Sequence, residues 1–277
     1  MKSIFLASLC ILGLAVQTQA QPKKPGAIQF ESTFDPAAMA AASGIKLSDE
    51  ALARMPKSSV NNFELLFTLN NASYMAVDDT EDSNGGGGQG GGMRFGGGFG
   101  GNSRDYYYSF ADHRLTEVFD YNDSTFIMPG KLGEPASMGF GSQVPPKVEL
   151  IRTDETKTIL GFTCHKLTVK TTMKRKIMDE EKEIVDETNV WFTNDLGFDF
   201  SPNPSLWNEG TVLAIEGKGT HVYAKSIEFR KVSEKDVSVP KKGYPITADE
   251  YRLKMEQRRK QRGNRNGNNA VRSITIN

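Results

Sequence analysis

Apolar side chains recur at every second position in several stretches of this chain, and this alternation constrains the fold more than any other feature. Residues 28–34 carry Ile28, Phe30 and Phe34 between polar neighbours, and residues 63–69 repeat the pattern. A period of two places alternate side chains on opposite faces of a strand, so one face is buried and the other meets water. The sequence therefore predicts a mainly β protein.

The same pattern, bounded by turn residues, predicts further strands and a single domain. The predicted strands are 28–34, 63–69, 74–77, 106–110, 115–121, 125–128, 148–151, 162–178, 183–193, 211–215 and 222–232. A turn at Asp179–Lys182 would set Lys174–Lys176 opposite Val185–Glu187, with opposite charges facing each other. A helix is the alternative for this charged stretch, but its β-branched residues favour strands. The expected architecture is a curved antiparallel sheet or open barrel spanning residues 27–240.

Two helices are predicted from their capping residues. Ser48 is an N-cap candidate followed by carboxylates, and Pro56 ends the short helix that it begins. Thr247 and Glu250 form a capping-box pattern, which predicts a C-terminal helix over residues 247–261.

The first twenty residues predict export. Lys2 precedes an apolar run from Ile4 to Val16, and Ala20 ends the stretch. This is the layout of a signal peptide (residues 1–20) cleaved after Ala20, followed by a short leader (residues 21–26). Cys10 lies inside the apolar run, where it does not fit a lipid-acylation site. We expect the mature protein in the periplasm or at the periphery of the outer membrane.

Two stretches are poor in strand signals. Residues 85–101 contain twelve glycines among seventeen residues, without the Gly-Lys-Ser/Thr ending of a phosphate-binding loop. We predict a flexible loop there. Residues 129–147 hold four prolines and four glycines, and we interpret them as a linker between the two halves of the sheet.

Cys164 is the only cysteine outside the predicted signal peptide, so it has no partner for an intramolecular disulfide. It could be a metal ligand, a nucleophile or an intermolecular bridge. Free cysteine is also among the most buried residue types, and we favour a buried strand position.

Three blocks of sequence occur together in one known family. They are Phe63–Phe67 with Ser73-Tyr74, then Thr153–Lys166, then Val190–Thr193. In these blocks the chain resembles the GLPGLI family, secreted envelope proteins of Gram-negative bacteria with no established biochemical function. The block that corresponds to the naming signature is Ser205–Leu213, where only Leu206, Gly210 and the pair Val212-Leu213 fit. A related group of exported proteins is the alternative, and either resemblance implies a secreted β protein without implying a reaction.

The sequence indicates no catalytic site, metal site or cofactor. His113, His165 and His221 are far apart and lack ligand spacing, although Cys164 with a histidine and a methionine could still meet in three dimensions. There is no Gly-x-Ser-x-Gly elbow and no recognisable acid/base pair of carboxylates. An enzyme is therefore the least favoured hypothesis.

Two other classes of function remain open. The first is a binding module whose concave sheet face holds an apolar ligand or a protein partner, with Trp191, Phe200 and Trp207 as candidate contacts. Their alternative role is simply to fill the core. A cavity lined by aromatic rings would favour this module, and a filled core would favour the second class, an envelope interaction protein.

The basic C-terminal end is the basis of that second class. Residues 252–277 contain eight basic side chains and one acidic one, although the whole chain has no net charge. We predict a disordered basic tail over residues 262–277, with Arg258, Arg259, Lys260 and Arg262 as candidate contacts to anionic lipid. A solvated end without a partner is the alternative. No nucleic acid is expected for an exported protein.

Overall fold

The structure is a computed structural model that describes residues 22–42, 48–55, 58–77, 104–121, 123–134, 147–177 and 180–258. The predicted signal peptide, the Gly-rich stretch, most of the 129–147 linker and the 262–277 tail lie outside these residues. No helix among the described residues is long and apolar enough to cross a bilayer.

The described residues form twelve strands and three short α-helices. The strands are β1 (Gly26–Phe34), β2 (Ser59–Phe67), β3 (Asn71–Val77), β4 (Arg104–Ser109), β5 (Arg114–Tyr121), β6 (Ser124–Gly130), β7 (Lys147–Ile159), β8 (Phe162–Ile177), β9 (Glu180–Thr193), β10 (Thr211–Glu216), β11 (Thr220–Glu228) and β12 (Tyr244–Pro245). The helices are α1 (Pro36–Ala42), α2 (Asp49–Arg54) and α3 (residues 248–258). A 3-10 turn covers Pro204–Leu206.

All twelve strands belong to one open, curved sheet, which confirms the predicted fold class. The order is β12-β6-β5-β4-β3-β2-β1-β11-β10-β9-β8-β7. Neighbouring strands are antiparallel except β12, which runs parallel to β6. The first strand of the chain therefore lies in the middle of the sheet, between β2 and β11.

The alternating residues of the sequence line the concave face. Ile28 and Phe30 on β1, and Leu65 and Phe67 on β2, are all at most 1% exposed. Burying each such side chain contributes roughly 1.5–3 kcal/mol. The hydrophobic core thus lies on the concave side, where the period-two pattern predicts it.

Two local features differ from the sequence predictions. Lys174 lies opposite Glu183 and Lys176 opposite Glu181, because β8 continues to Ile177 and β9 begins at Glu180, so the register differs from the predicted one. Both registers pair opposite charges, so charge alone could not fix the turn. Helix α1 was not predicted, since Pro36–Ala42 has no apolar periodicity. Its first turn is capped by Asp35 Oδ1, which accepts hydrogen bonds from two backbone N–H groups at 2.9 and 3.0 Å.

After β11 the chain crosses the outer, convex face of the sheet. This crossing segment (residues 229–243) buries Val237, and the Ser73 hydroxyl of β3 donates a hydrogen bond of 2.8 Å to the Asp236 carbonyl. The crossing segment leads into β12, which pairs with β6 at one edge of the sheet. This strand lies beyond residue 240, where the sequence predicts the end of the β domain.

Helix α3 then returns to the concave side. Tyr251 packs edge-on against Phe119 of β5, 4.9 Å between ring centroids. A small second core of Phe119, Tyr121, Met128 and Ile246 forms there. One edge of the sheet thus ends in the short strand β12 near this second core, whereas β7 forms the other edge.

Candidate functional site

The middle of the concave face is filled by the protein itself. The segment between β9 and β10 (residues 194–210) inserts Phe200, which is 0% exposed, among Phe30, Tyr74 and Tyr108 at centroid distances of 5.7, 5.3 and 5.3 Å. Phe198 packs beside it, 4.9 Å from the Phe67 ring. Side chains of the protein therefore occupy this part of the face.

Backbone hydrogen bonds fix this inserted segment to the sheet. The Val212 N–H donates to the Phe200 carbonyl at 2.8 Å, and the Phe200 N–H donates to the Gly210 carbonyl at 3.1 Å. The Tyr108 hydroxyl, from the opposite side of the core, donates to the Ser201 carbonyl at 3.1 Å. The insertion is therefore part of the folded core.

The predicted contact residues Trp191, Phe200 and Trp207 occupy three different environments. Phe200 has the core role that the sequence left open as its alternative. The partly buried Trp207 donates from Nε1 to the Gly210 carbonyl at 2.9 Å and packs against the turn at Gly133. Trp191 is buried and belongs to the same hydrophobic cluster as Phe200, but as a strand neighbour of Val190 and Phe192 it lies on the opposite, convex face of the sheet. The three side chains therefore do not form one site.

A small cavity of about 170 Å³ lies on the convex side. Tyr107, Arg114 and Thr116 of the sheet and Val237 to Val239 of the crossing segment line it. Pockets for drug-sized apolar ligands measure roughly 300–1,000 Å³, so this one suits nothing larger than a small polar group.

The most elaborate polar arrangement of the described residues surrounds Glu216 at the end of β10. Its Oε1 accepts hydrogen bonds from Lys157 Nζ at 2.6 Å and from the Tyr223 hydroxyl at 3.3 Å, and its Oε2 accepts one from Trp191 Nε1 at 2.9 Å. Lys157 Nζ also lies 4.1 Å above the Trp191 ring centroid and 5.8 Å from that of Tyr223. We call these four residues the Glu216 cluster.

Partial burial opposes ionisation of Glu216, but the hydrogen bonds from Lys157, Trp191 and Tyr223 outweigh it and lower the carboxyl's pKa from its ordinary value. Burial, followed by the charge of Glu216, raises the pKa of Tyr223. At neutral pH the cluster therefore holds a carboxylate and a protonated phenol.

His221 lies beside this cluster. It is directly opposite Glu216 in the β10–β11 pairing, and its ring stacks on Tyr223 with centroids 6.2 Å apart and planes 11° apart. Its Nδ1 atom is buried and has no hydrogen-bond partner among the described residues.

Cys164 is buried, at 0% exposure, as the sequence predicts. Burial raises the pKa of its thiol to about 11. Its sulfur lies 3.7 Å from the Phe162 carbonyl oxygen. No group of three or more His, Cys, Asp or Glu side chains in the described part of the chain is arranged to hold a metal ion.

Two basic residues of α3 lie over aromatic rings. Arg258 lies over Tyr121 at 5.2 Å and Lys254 over Phe126 at 5.9 Å. Arg259, Lys260 and Arg262, the other predicted lipid contacts, lie outside the described residues.

Strand β7 is an open edge within the described part of the sheet. It pairs only with β8 there, and Val148, Leu150 and Ile151 are 44%, 52% and 44% exposed. A register shift between Arg152 and Thr156 adds a bulge, so its longest regular part is residues 147–152. Exposed backbone groups and apolar side chains together are a template for pairing with another chain.

The sequence did not identify the Glu216 cluster, because its members come from four strands and only Glu216 and Tyr223 are near each other in the chain. Lys157 and Trp191 each lie in one of the sequence blocks quoted above, but the residues alone suggested no joint role. The one available signal is Glu216 itself, a carboxylate that directly follows the apolar run Val212–Ile215.

No protein-family model matches the chain, and no curated protein matches it either. Two crystal forms of PNGF-II are distantly similar in structure. One has a TM-score of 0.47 and 14% identity, the other 0.45 and 13%. Each match covers 83% of this chain and 32% of the PNGF-II chain, so this chain spans about a third of that protein's length. Likeness at this level assigns no function.

Proposed function

We propose that this chain is an exported, non-enzymatic interaction protein of a bacterial envelope, and that it binds an extended segment of a protein partner as an added strand along β7. Export follows from the signal-peptide pattern and from the resemblance to the GLPGLI family. The observation that carries the binding mode is the open β7 edge with its half-exposed Val148, Leu150 and Ile151.

Two features of the sheet support this edge over the concave face. The concave face holds Phe198 and Phe200 where an apolar ligand would bind. The opposite edge ends in the two-residue strand β12, and natural sheets usually cover, shorten or charge an exposed edge, whereas β7 is long and carries apolar side chains. An added strand would satisfy the outward backbone groups of residues 147–152 and cover the apolar side chains.

Selection from a phage-displayed library of ten-residue peptides tests strand addition. We expect enriched peptides with alternating apolar residues, which slow amide hydrogen exchange in residues 147–152. Leu150→Lys should weaken their binding by at least about tenfold, because an edge lysine opposes pairing by more than about 1.4 kcal/mol.

Leu69→Lys is the matched control, since Leu69 is 48% exposed in the β2–β3 turn. Binding that is equal in the two lysine variants, or a library without enrichment, would refute the proposed edge.

Contact with anionic lipid is a second candidate, carried by the basic end of the chain. Truncation within α3 would disturb the core that Tyr251 and Met255 join. The sharper test changes Arg259, Lys260 and Arg262 to Gln and leaves Arg258 on Tyr121. Binding to anionic vesicles at low salt should then weaken by about 1 kcal/mol for each charge removed near the surface. Sedimentation of the protein with the vesicles measures this binding. Unchanged sedimentation would make the tail a passive end.

A further inference from the structure

The Glu216 cluster has the composition of a binding site for an organic cation. An ammonium group is stabilised over an aromatic ring face within about 6 Å, most strongly over Trp, and an adjacent carboxylate adds a charge-assisted hydrogen bond. Trp191 and Tyr223 supply two rings and Glu216 the carboxylate. The hydrogen bonds from Trp191 Nε1 and the Tyr223 hydroxyl hold that carboxylate in place before any ligand arrives.

In the structure this site is occupied by the protein's own ammonium group. Lys157 Nζ lies 4.1 Å from the Trp191 centroid and donates to Glu216 at 2.6 Å. It covers Trp191, which is only 7% exposed, while the Lys157 and Glu216 side chains remain 31% and 26% exposed. Lys157 thus covers the Trp191 ring while its own side chain remains in contact with solvent.

The Lys157 side chain can also move away from Trp191. It extends from the edge strand β7, just after the bulge, on four rotatable side-chain bonds. A part-exposed ion pair of this kind contributes little to stability. Its departure would uncover the Trp191 ring face and leave the Glu216 carboxylate without a cation.

Two neighbours distinguish this cluster from an ordinary surface ion pair. The buried, unpartnered His221 Nδ1 lies next to Glu216, and buried polar groups in folded proteins are normally paired. Lys166 Nζ lies 5.9 Å from the Trp191 centroid but is bound by Glu155 at 2.9 and 3.1 Å. Of these two lysines, only Lys157 pairs with Glu216, so Lys157 is the group that a ligand would replace.

From these contacts we infer that Trp191, Glu216 and Tyr223 form a binding site for the side-chain ammonium of a lysine on a protein partner, and that Lys157 occupies the site until the partner's lysine replaces it. The site lies on the convex face and does not require strand addition at β7. It therefore goes beyond the proposed function.

Tryptophan fluorescence reads this site directly once Trp207→Phe leaves Trp191 as the only tryptophan. The probe is Nα-acetyl-lysine methylamide, and its neutral match is Nα-acetyl-norleucine methylamide. Lys157→Ala in this background should bind the lysine probe saturably. The protein that retains Lys157 should bind the lysine probe about tenfold more weakly if Lys157 occupies the site about nine-tenths of the time.

Adding Glu216→Gln to Lys157→Ala should abolish the preference for the lysine probe over the norleucine probe. Equal responses to both probes, or an unchanged response after Glu216→Gln, would overturn the inference. Lys157→Met, which keeps the side-chain stem, replaces Lys157→Ala if the latter fails to fold. Leu150→Lys should leave probe binding unaltered, which separates this result from the fate of the β7 proposal.

Discussion

At the scale of single residues, the aromatic side chains make different contacts on the two faces of the sheet. Phe200 and Phe198 are held by the concave core, whereas Trp191 lies on the convex face with its indole N–H and its ring both engaged. The sequence identified these aromatic residues as candidate contacts but could not predict which of them are buried in the core. Residues 194–210 do not form a strand, so they have no alternating pattern that indicates which side chains face the core.

Phe200→Ala should destabilise the protein by about 3–5 kcal/mol, because it removes a fully buried ring and leaves a cavity between Phe30, Tyr74 and Tyr108. Urea unfolding measures the loss. Phe229→Ala is the matched control, since Phe229 is 52% exposed and its truncation should cost less than about 1 kcal/mol. Similar small losses in both variants would show that Phe200 is free to contact a ligand.

Glu216→Gln should lower stability at neutral pH by about 1–2 kcal/mol, a modest figure because the carboxyl is partly exposed and screened. The folded-state pKa of Glu216 is lowered, so its ionisation stabilises the fold above the ordinary carboxyl pKa. That contribution disappears as pH falls through the folded pKa.

The stability difference between Glu216→Gln and the unchanged protein should therefore shrink below about pH 4. Unfolding in urea across this range measures it, and Lys157→Met should flatten the same pH dependence by removing the partner. A difference that stays constant with pH would contradict the ionic role of Glu216.

At the scale of elements, the sequence predicted most strands because their alternation coincides with burial on one sheet face. It placed the boundaries less well where no apolar pattern exists: β7 runs to Ile159, and the β8–β9 pairing extends as far as Ile177 and Glu180. The C-terminal helix was predictable because capping is a local interaction. The Thr247 N–H donates to Glu250 Oε2 at 2.8 Å, and the Glu250 N–H donates to Thr247 Oγ1 at 3.2 Å.

Thr247→Ala should destabilise α3 by about 1 kcal/mol, because the N-cap hydroxyl no longer accepts the Glu250 N–H. Faster hydrogen exchange in residues 248–258 would report the loss, together with weaker packing of Tyr251 on Phe119. Thr247→Ser retains the hydroxyl and should behave like the unchanged protein. If alanine and serine give the same exchange rates, the cap does not hold the helix.

At the scale of the whole molecule, the pairing of β3 with β4 bears on the glycine-rich stretch between them. Tyr74 lies opposite Tyr106, so the facing ends of these strands are neighbours and a short turn could join them. The sequence could not predict the pairing order of the strands, and β1 between β2 and β11 is its clearest omission. Nothing local in residues 26–34 specifies a partner almost two hundred residues away.

Replacing residues 85–101 by a short Gly-Ser turn should leave the melting temperature nearly unchanged, because each halving of a loop changes its closure entropy by only about 0.6 kcal/mol. Thermal unfolding by circular dichroism measures the effect. The control keeps the length but changes Met93, Phe95 and Phe99 to Ser. A loss of several kcal/mol in both proteins would show that these apolar side chains pack on the sheet.

The central position of β1 also governs when the molecule can become complete during synthesis. β1 pairs with β2 as soon as residue 67 is available, but its other side waits for β11, which ends at Glu228. Until then the growing chain presents an apolar strand with one side unsatisfied, and pairings so distant in sequence form slowly. A chain threaded through a membrane from its N-terminus would thus stay incompletely folded, and transportable, for most of its passage.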